Sequence, residues 1–366
     1  MKTLHLSIIM AIIGLVAGFS LLEATAEQSS FSIPTWIKEN AKWWSEGKIG
    51  DFDFALGIQY LFGNNGIMKI TSSEYAGRST NSSNLYLPQW IKHNAFWWVT
   101  GQISDEDFVT GIQYLVENRI INLQNLESFE IWRPIPGSTL NVQFDNPINS
   151  SFNVNAYDID LFDNNATMVK SLHEKGAKVI CYISVGSWEN WRPDADAFSP
   201  YVIGKDYQGW PGEKWLDIRK IDVIGPIIEK RFDLCKAKGF DGVDTDNMDG
   251  YQSDTGFQIT YNDQLQFNIW LANQAHARGL SIGLKNDPDQ VVDLLPYFDW
   301  ALVEECYVYN FCDKFEMFVN SGKAVFQVEY VDSGITKDQF CPQSIKMNFS
   351  GILKQKNLTA NYESCR

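Results

Sequence analysis

The chain has 366 residues, 45% of them hydrophobic, enough to bury one large core and still carry small appendages. A mean hydropathy of −0.22 excludes a multi-span membrane protein. The formal net charge of −15 argues against a nucleic-acid partner, because phosphate binding needs basic patches; it suits a solvated acidic surface or a cationic polymer as ligand.

At the N-terminus, Lys2 precedes an apolar run from Leu6 to Leu22, and Ala24-Thr25-Ala26 offers the small-x-small pattern that a signal peptidase reads. Residues 1–26 are therefore expected to be a signal peptide, with an uncleaved anchor as the alternative. Under either reading the rest is secreted or at the cell surface. Sequons at Asn81, Asn149, Asn165, Asn348 and Asn357 are compatible with export.

A repeat follows. Pro34-Thr35-Trp36-Ile37-Lys38 matches Pro88-Gln89-Trp90-Ile91-Lys92, and Asn40-Ala41 with Trp43-Trp44 recurs as Asn94-Ala95 with Trp97-Trp98. Gly57-Ile58-Gln59-Tyr60-Leu61 recurs as Gly111-Ile112-Gln113-Tyr114-Leu115. Each unit reads as a helical hairpin, broken at Gly47 or Gly101 and resumed at Asp51 or Asp105. The expected units are residues 33–70 and 87–124, joined by a Ser- and Asn-rich linker over 71–86. Units this small have little core, so their tryptophans serve either as packing mass or, where exposed, as stacking surfaces for sugar rings or a cell-surface partner. They are similar to short Trp-rich repeats of exported archaeal proteins.

From residue 128 to 366 short apolar runs alternate with amphipathic segments that end in glycine. The expected strands are Thr139–Phe144, Tyr157–Leu161, Lys178–Ser184, Gly242–Asp246, Ser281–Lys285, Trp300–Glu305, Ala324–Tyr330 and Ile345–Phe349. Eight strands over this length predict an α/β fold of the (β/α)8 TIM-barrel type. A doubly wound open sheet is the alternative, but no Gly-rich phosphate loop follows the first strand. Of six cysteines, Cys306 is expected to pair with Cys312 and Cys341 with Cys365, while Cys181 and Cys235 are either bridged or buried free thiols. The four histidines form no metal-ligand spacing; His173 and His276 sit just before helix-ending glycines, in capping or surface roles.

A barrel of this kind builds its site at the C-terminal ends of its strands. Those ends hold Asp158 and Asp160, Asp244, Asp246, Asn247 and Asp249, Lys285 and Asp287, Glu304, Glu305 and Tyr307, and Glu329. Carboxylates thus gather at one rim, and glycoside hydrolysis needs two of them. Trp188, Trp191, Trp210 and Tyr251 lie in the following loops, either as platforms for pyranose rings or as packing.

These residues carry a resemblance. Tyr157-Asp158-Ile159-Asp160-Leu161-Phe162-Asp163, the run from Cys181 to Pro193, Trp210-Pro211-Gly212-Glu213-Lys214-Trp215-Leu216-Asp217, the run from Asp241 to Tyr251, Gly283-Leu284-Lys285-Asn286-Asp287 and Glu304-Glu305-Cys306 together resemble glycoside hydrolase family 114, the endo-α-1,4-polygalactosaminidases. The resemblance implies hydrolysis of α-1,4-linked galactosamine polymers without a metal or cofactor, and it puts the catalytic carboxylates on Asp246 and Glu304. Alternation puts Glu304 on the same side as Trp300 and Leu302 and Glu305 on the other, and it is the resemblance that favours Glu304. Asp158, Asp160, Trp188, Trp191, Asp244, Asn247, Asp249, Tyr251, Lys285, Asp287 and Tyr307 are the expected substrate-binding residues. The first strand, Leu140-Asn141-Val142-Gln143-Phe144, departs from the family's Trp- and Gln-rich pattern. The reading from another class is a non-catalytic glycan-binding protein that keeps the barrel as a lectin platform.

Overall fold

The structure, a computed structural model, describes residues 33, 35–47, 49, 51, 54, 55, 57, 58, 87, 89–117 and 131–366. The expected signal peptide and the linker over 71–86 lie outside the described residues. Among these, no helix is long and apolar enough to cross a membrane.

Two Trp-rich segments show the same local chemistry. In helix Thr35–Ser45, Trp44 Nε1 donates to Asp51 Oδ1 at 2.8 Å and the indole stacks on Phe54 at 3.9 Å. In helix Gln89–Val99, Trp98 Nε1 donates to Asp105 Oδ1 at 2.9 Å and stacks on Phe108, of helix Asp105–Glu117, at 3.8 Å. The contact between the segments is reciprocal: Lys38 lies over the Trp98 ring and Lys92 over the Trp44 ring. Their outer faces differ. Trp43 is buried against the large apolar core of the following residues, and Asn40 Oδ1 accepts from Asn273 Nδ2 at 3.2 Å. Its counterpart Trp97 is exposed, as are Trp90, Phe96 and Tyr114.

Residues 131–366 form a curled sheet surrounded by helices. Its strands begin with β1 (Leu140–Val142), β2 (Ala156–Asp160) and β3 (Lys178–Ser184). An inserted antiparallel sheet follows, made of β4 (Ser187–Glu189), β5 (Ile203–Asp206) and β6 (Glu213–Leu216). The main sheet resumes with β7 (Gly242–Asp246), β8 (Ser281–Lys285), β9 (Trp300–Glu304), β10 (Val325–Tyr330), β11 (Ser350–Lys354) and β12 (Glu363–Ser364). Its order is β1-β2-β3-β7-β8-β9-β10-β11-β12, parallel throughout except for the β11–β12 pair. Ser350 Oγ donates to the Ser138 carbonyl and Lys354 Nζ reaches Asn141 Oδ1 at 3.2 Å, so the first and last parallel strands come together.

Side chains alternate with period two. Leu140, Val142, Ala156, Ile180, Trp300, Leu302, Phe326, Val328 and Ile352 fill the inside of the curl. Ile159, Cys181, Ile183, Val243, Ile282, Leu284, Ala301 and Val303 face the helices. Trp300 reaches across to Gly283, where a Cβ would lie 2.2 Å from the indole, so this strand position admits only glycine.

One expectation changes, one element is new and one open alternative closes. The last parallel strand is Ser350–Lys354 rather than Ile345–Phe349, because Ile345 belongs to helix Lys337–Lys346 and Asn348 turns the chain at φ 57°. The antiparallel insertion was not foreseen. Cys181 is bonded to Cys235, pinning the outer face of β3 to helix Ile221–Lys238, while Cys306–Cys312 and Cys341–Cys365 pair as expected. His173 and His276 contact Asp241 at 2.7 Å and Asp299 at 2.8 Å, tying helix ends to the residues that precede β7 and β9.

Candidate active site

Asp246, Lys285 and Glu304 are the last residues of three neighbouring strands, β7, β8 and β9. The residue after each, Asn247, Asn286 and Glu305, has φ of 65°, 52° and 54°. This left-handed turn is costly for a side-chain-bearing residue and recurs where a site over-determines the backbone. It leaves the strand-end side chains aimed into the mouth of the curl and sets the next ones along its rim. Glu305 accordingly accepts from Ser333 Oγ and lies 3.8 Å from Lys356 Nζ.

Lys285 Nζ stands at the centre, 3.4 Å from Asp246 Oδ1, 3.3 Å from Glu304 Oε2 and 3.6 Å from Asp244 Oδ2. Burial opposes its charge, but Asp244, Asp246 and Glu304 outweigh it and hold its pKa well above the ordinary lysine value. Tyr182, from the middle of β3, donates to Asp246 Oδ2 at 2.9 Å. Tyr330, closing β10, donates to Glu304 Oε1, and Asn286 Nδ2 donates to Glu304 Oε2 at 3.3 Å. Burial raises both tyrosines well above their usual pKa, so they stay donors. The backbone of Asp246 is fixed too: its carbonyl accepts from Val185 N at 3.1 Å and Gly186 N at 3.3 Å. A Cβ on Gly186 would lie 1.7 Å from the Asn247 carbonyl oxygen, so the close approach of these loops depends on glycine.

Above this trio opens a cleft of about 440 Å³, whose lining includes Asp160, Trp191, Trp210, Asp246, Asn247, Asp249, Lys285 and Glu304. Trp191 and Trp210 are 50% and 49% exposed, leaving aromatic faces free at its edge. Asp160 is buried and bound by Arg192 Nη1 at 2.7 Å, and Arg192 forks onto Glu189. Asn247 Nδ2 donates to Ser184, Ser187 and Glu213. Burial pushes Glu213 up to about 7, against the Ser187 hydrogen bond and with help from Asp246. Asp249 is pushed up to about 6 by burial and the charge of Asp246.

Six of the expected binding residues do not line the cleft. Asp158 and Asp244 are fully buried beneath Lys285. Trp188 is half-buried on the core and donates from Nε1 to the Ala195 carbonyl. Tyr307 packs against Phe340. Tyr251 donates to Asp287, which burial and Asp249 push up to about 8, so these two form a second acidic cluster outside the cleft lining. Asn286 and Tyr330, at strand ends, and Tyr182, Tyr207 and Glu213 line the cleft, though none of the five was expected to bind substrate. Tyr182 and Tyr330 carried a usable signal, the inward phase of their own strands, whereas Glu213 reaches the cleft only through the insertion.

The arrangement offers two carboxylates at the floor of a polar cleft with aromatic edges, which suits protonation and displacement at a glycosidic bond. The sequence profile of glycoside-hydrolase family GH114 matches residues 123–366. Among solved structures, Ega3 of Aspergillus fumigatus, crystallised in complex with galactosamine, is 39% identical, with a TM-score of 0.62 over 66% of this chain and 100% of that one. The glycoside hydrolase domain of PelA from Pseudomonas aeruginosa is 13% identical and shares the fold, with a TM-score of 0.51 over 62% of this chain and 98% of that one. Among curated protein sequences nothing matches.

Proposed function

This chain belongs to glycoside-hydrolase family GH114 and is a glycoside hydrolase, and we propose that it cleaves α-1,4-linked galactosamine-containing polysaccharide with Asp246 and Glu304 as the working carboxylates. The observation that carries the reading is their common contact with Lys285. Two oxygens that each touch Nζ, at 3.4 and 3.3 Å, are separated by at most the sum of those distances, about 6.7 Å. That ceiling overlaps only the bottom of the roughly 6.5–9.5 Å range of inverting enzymes and accommodates the about 5–5.5 Å of retaining ones. It supports a double displacement. One carboxylate attacks the anomeric carbon and forms a glycosyl ester while the other protonates the departing oxygen. Water then attacks the anomeric carbon, giving its proton to the second carboxylate while the bond to the first breaks and releases it.

Substrate identity is supported by the galactosamine bound to Ega3 and by the charge of the cleft. Deacetylated galactosamine is cationic, and Asp160, Asp249 and Glu213 add acidic groups around the catalytic pair. Trp191 and Trp210 serve as platforms for the sugars on either side, and Lys285 and Asn286 hold the carboxylates. The curled sheet is read as a (β/α)8 barrel spanning residues 128–366, with the signal peptide, the two Trp-rich units and their linker before it. Three disulfides support an oxidising, extracytoplasmic setting, where the exposed indoles of the second unit are available to a cell surface.

The test is incubation with partly deacetylated polygalactosamine and mass analysis of the products. Oligosaccharide ladders are expected from the wild type. Asp246→Asn and Glu304→Gln should each lower turnover by several orders of magnitude while glycan binding persists, as loss of a transition-state contact requires. Glu305→Gln should stay active. Azide added to Ala variants of the two carboxylates identifies the nucleophile, because only its loss gives a glycosyl azide of inverted configuration. A wild type that binds the polymer and releases nothing would leave the lectin reading in place.

A further inference from the structure

We propose that Asp158 and Asp244 act as one proton-sharing acid pair, a positioning element that holds Lys285 beneath the catalytic carboxylates and keeps a single negative charge there. The inference rests on Asp246 and Glu304 being the working carboxylates.

Both carboxyl groups are fully buried inside the curl. Among the described residues no hydrogen-bond donor reaches any of their four oxygens, yet the two groups lie within hydrogen-bonding reach of each other. Leaving four acceptors orphaned in a dry interior is expensive, and two ionised carboxylates side by side are more so. One proton between them resolves both, turning two orphaned acids into a donor and an acceptor. Its place follows from Lys285. Asp244 Oδ2 lies 3.6 Å from Nζ, and among the described residues Asp158 has no such ion pair. Asp158 therefore carries the proton and donates to Asp244. Burial first, and the charge of Asp244 second, push the Asp158 pKa well above the carboxylate range, while Asp244 reaches only about 6.

The groups facing the pair are Lys285, Asp246 and Glu304, with Tyr182 and Tyr330 bonded to the last two. Asp244 offsets Lys285 from below. The catalytic carboxylates above thus face a cation already partly neutralised. Asparagine imitates a protonated aspartic acid, so the two acids should respond differently to the same substitution.

The experiment compares pH–rate profiles on deacetylated polygalactosamine. Asp158→Asn supplies an N–H where the acid supplied an O–H, and both limbs should stay where they are in the wild type. Asp158→Asn with Asp244→Asn leaves no negative charge under Lys285, and the basic limb should move down by about one to two pH units as the catalytic acid loses its proton more readily. A single variant that moves the limb as far as the double variant, or a double variant that leaves it in place, overturns the proposal. A second readout needs no turnover. The infrared difference spectrum of wild type minus Asp158→Asn should show the loss of one protonated-carboxyl band that wild type minus Asp246→Asn does not show; a difference spectrum without that loss also overturns it. Asp158→Ser, which keeps a donor on a smaller side chain, repeats both measurements. An inactive wild type would sink the hydrolase assignment of the carboxylates, while the spectrum would still decide the acid pair.

Discussion

Lys285→Met removes the group that, among the described residues, touches both catalytic carboxylates, while keeping most of the side-chain volume. At contacts of 3.3–3.6 Å, each ion pair is worth about 5 kcal/mol at an effective dielectric near 20. Lysine desolvation cancels much of that sum, so the net loss should resemble other broken buried pairs, about 3–5 kcal/mol. The orphaned carboxylates relieve it by taking up a proton. Whichever one serves as nucleophile is then neutral at a pH where the wild type has it ionised. The acidic limb of the pH–rate profile should rise by about two pH units or more, and turnover below it should fall at least about a hundredfold. The assay is reducing-end release from the deacetylated polymer between pH 4 and 9, with thermal unfolding in parallel. A melting point lower by roughly 5–15 °C should accompany the change. A variant within about threefold of wild type, with an unmoved acidic limb, would refute the claim that Lys285 sets the charge state of the pair.

Two further outcomes follow from the electrostatics. Hydrolysis of deacetylated polymer should weaken as salt rises, because screening lengths fall to about 8 Å near physiological ionic strength, whereas fully acetylated polymer should respond little; equal responses would remove the charge argument. Asp287 is raised in the folded state to about 8, so the fold binds a proton that the unfolded chain releases, and the stability it adds is present below about pH 4 and lost as pH rises through 8. Asp287→Asn should therefore gain on the wild type between pH 5 and pH 9, by on the order of a few kcal/mol in urea unfolding; parallel changes in both proteins would contradict it.

The strand ends were legible because a parallel curled sheet buries its strands on both faces and leaves polar residues only at the mouth. Lys178–Ser184, Gly242–Asp246 and Ser281–Lys285 match their expected bounds for that reason. The last parallel strand was misread because Ile345, Met347 and Phe349 alternate like a strand, while Ser350 and Gly351 look like a turn. Ile345 is 48% exposed and Gly351 is buried. The inserted sheet left no trace, since Ile203-Gly204-Lys205-Asp206 and Glu213-Lys214-Trp215-Leu216 are short and charged. Asp158 and Asp244 were read as reaching substrate, because a sequence gives the inward phase of a residue but not its depth. Depth is set by strand register: Asp158 pairs level with Ile180, one inward step below Tyr182 and Asp160.

Depth also changes what to expect of the N-terminal units. From sequence alone, a protein starting near Ser128 should fold and cleave as well as the whole chain. The cleft supports half of that, since every residue lining it lies between Phe144 and Leu358. The core does not. Trp43 is 6% exposed and packs with the apolar residues that cover the outside of the sheet, and Asn40 accepts from the buried Asn273 of helix Tyr261–Ala277. Removing residues before 128 therefore uncovers an apolar patch and strands a buried amide. Loss of a buried tryptophan costs about 3–5 kcal/mol, which in a domain of this size lowers the melting point by roughly 10 °C. The truncated protein should keep the kcat of the whole chain on short oligosaccharides at 25 °C but unfold at lower temperature. Trp43→Ala in the full chain should reproduce most of that loss, whereas Trp97→Ala, on the exposed counterpart, should change melting little. A truncated protein with an unchanged melting point would show that Trp43 rests on the core without stabilising it. A stable truncated protein with no activity would show that the units complete the cleft after all.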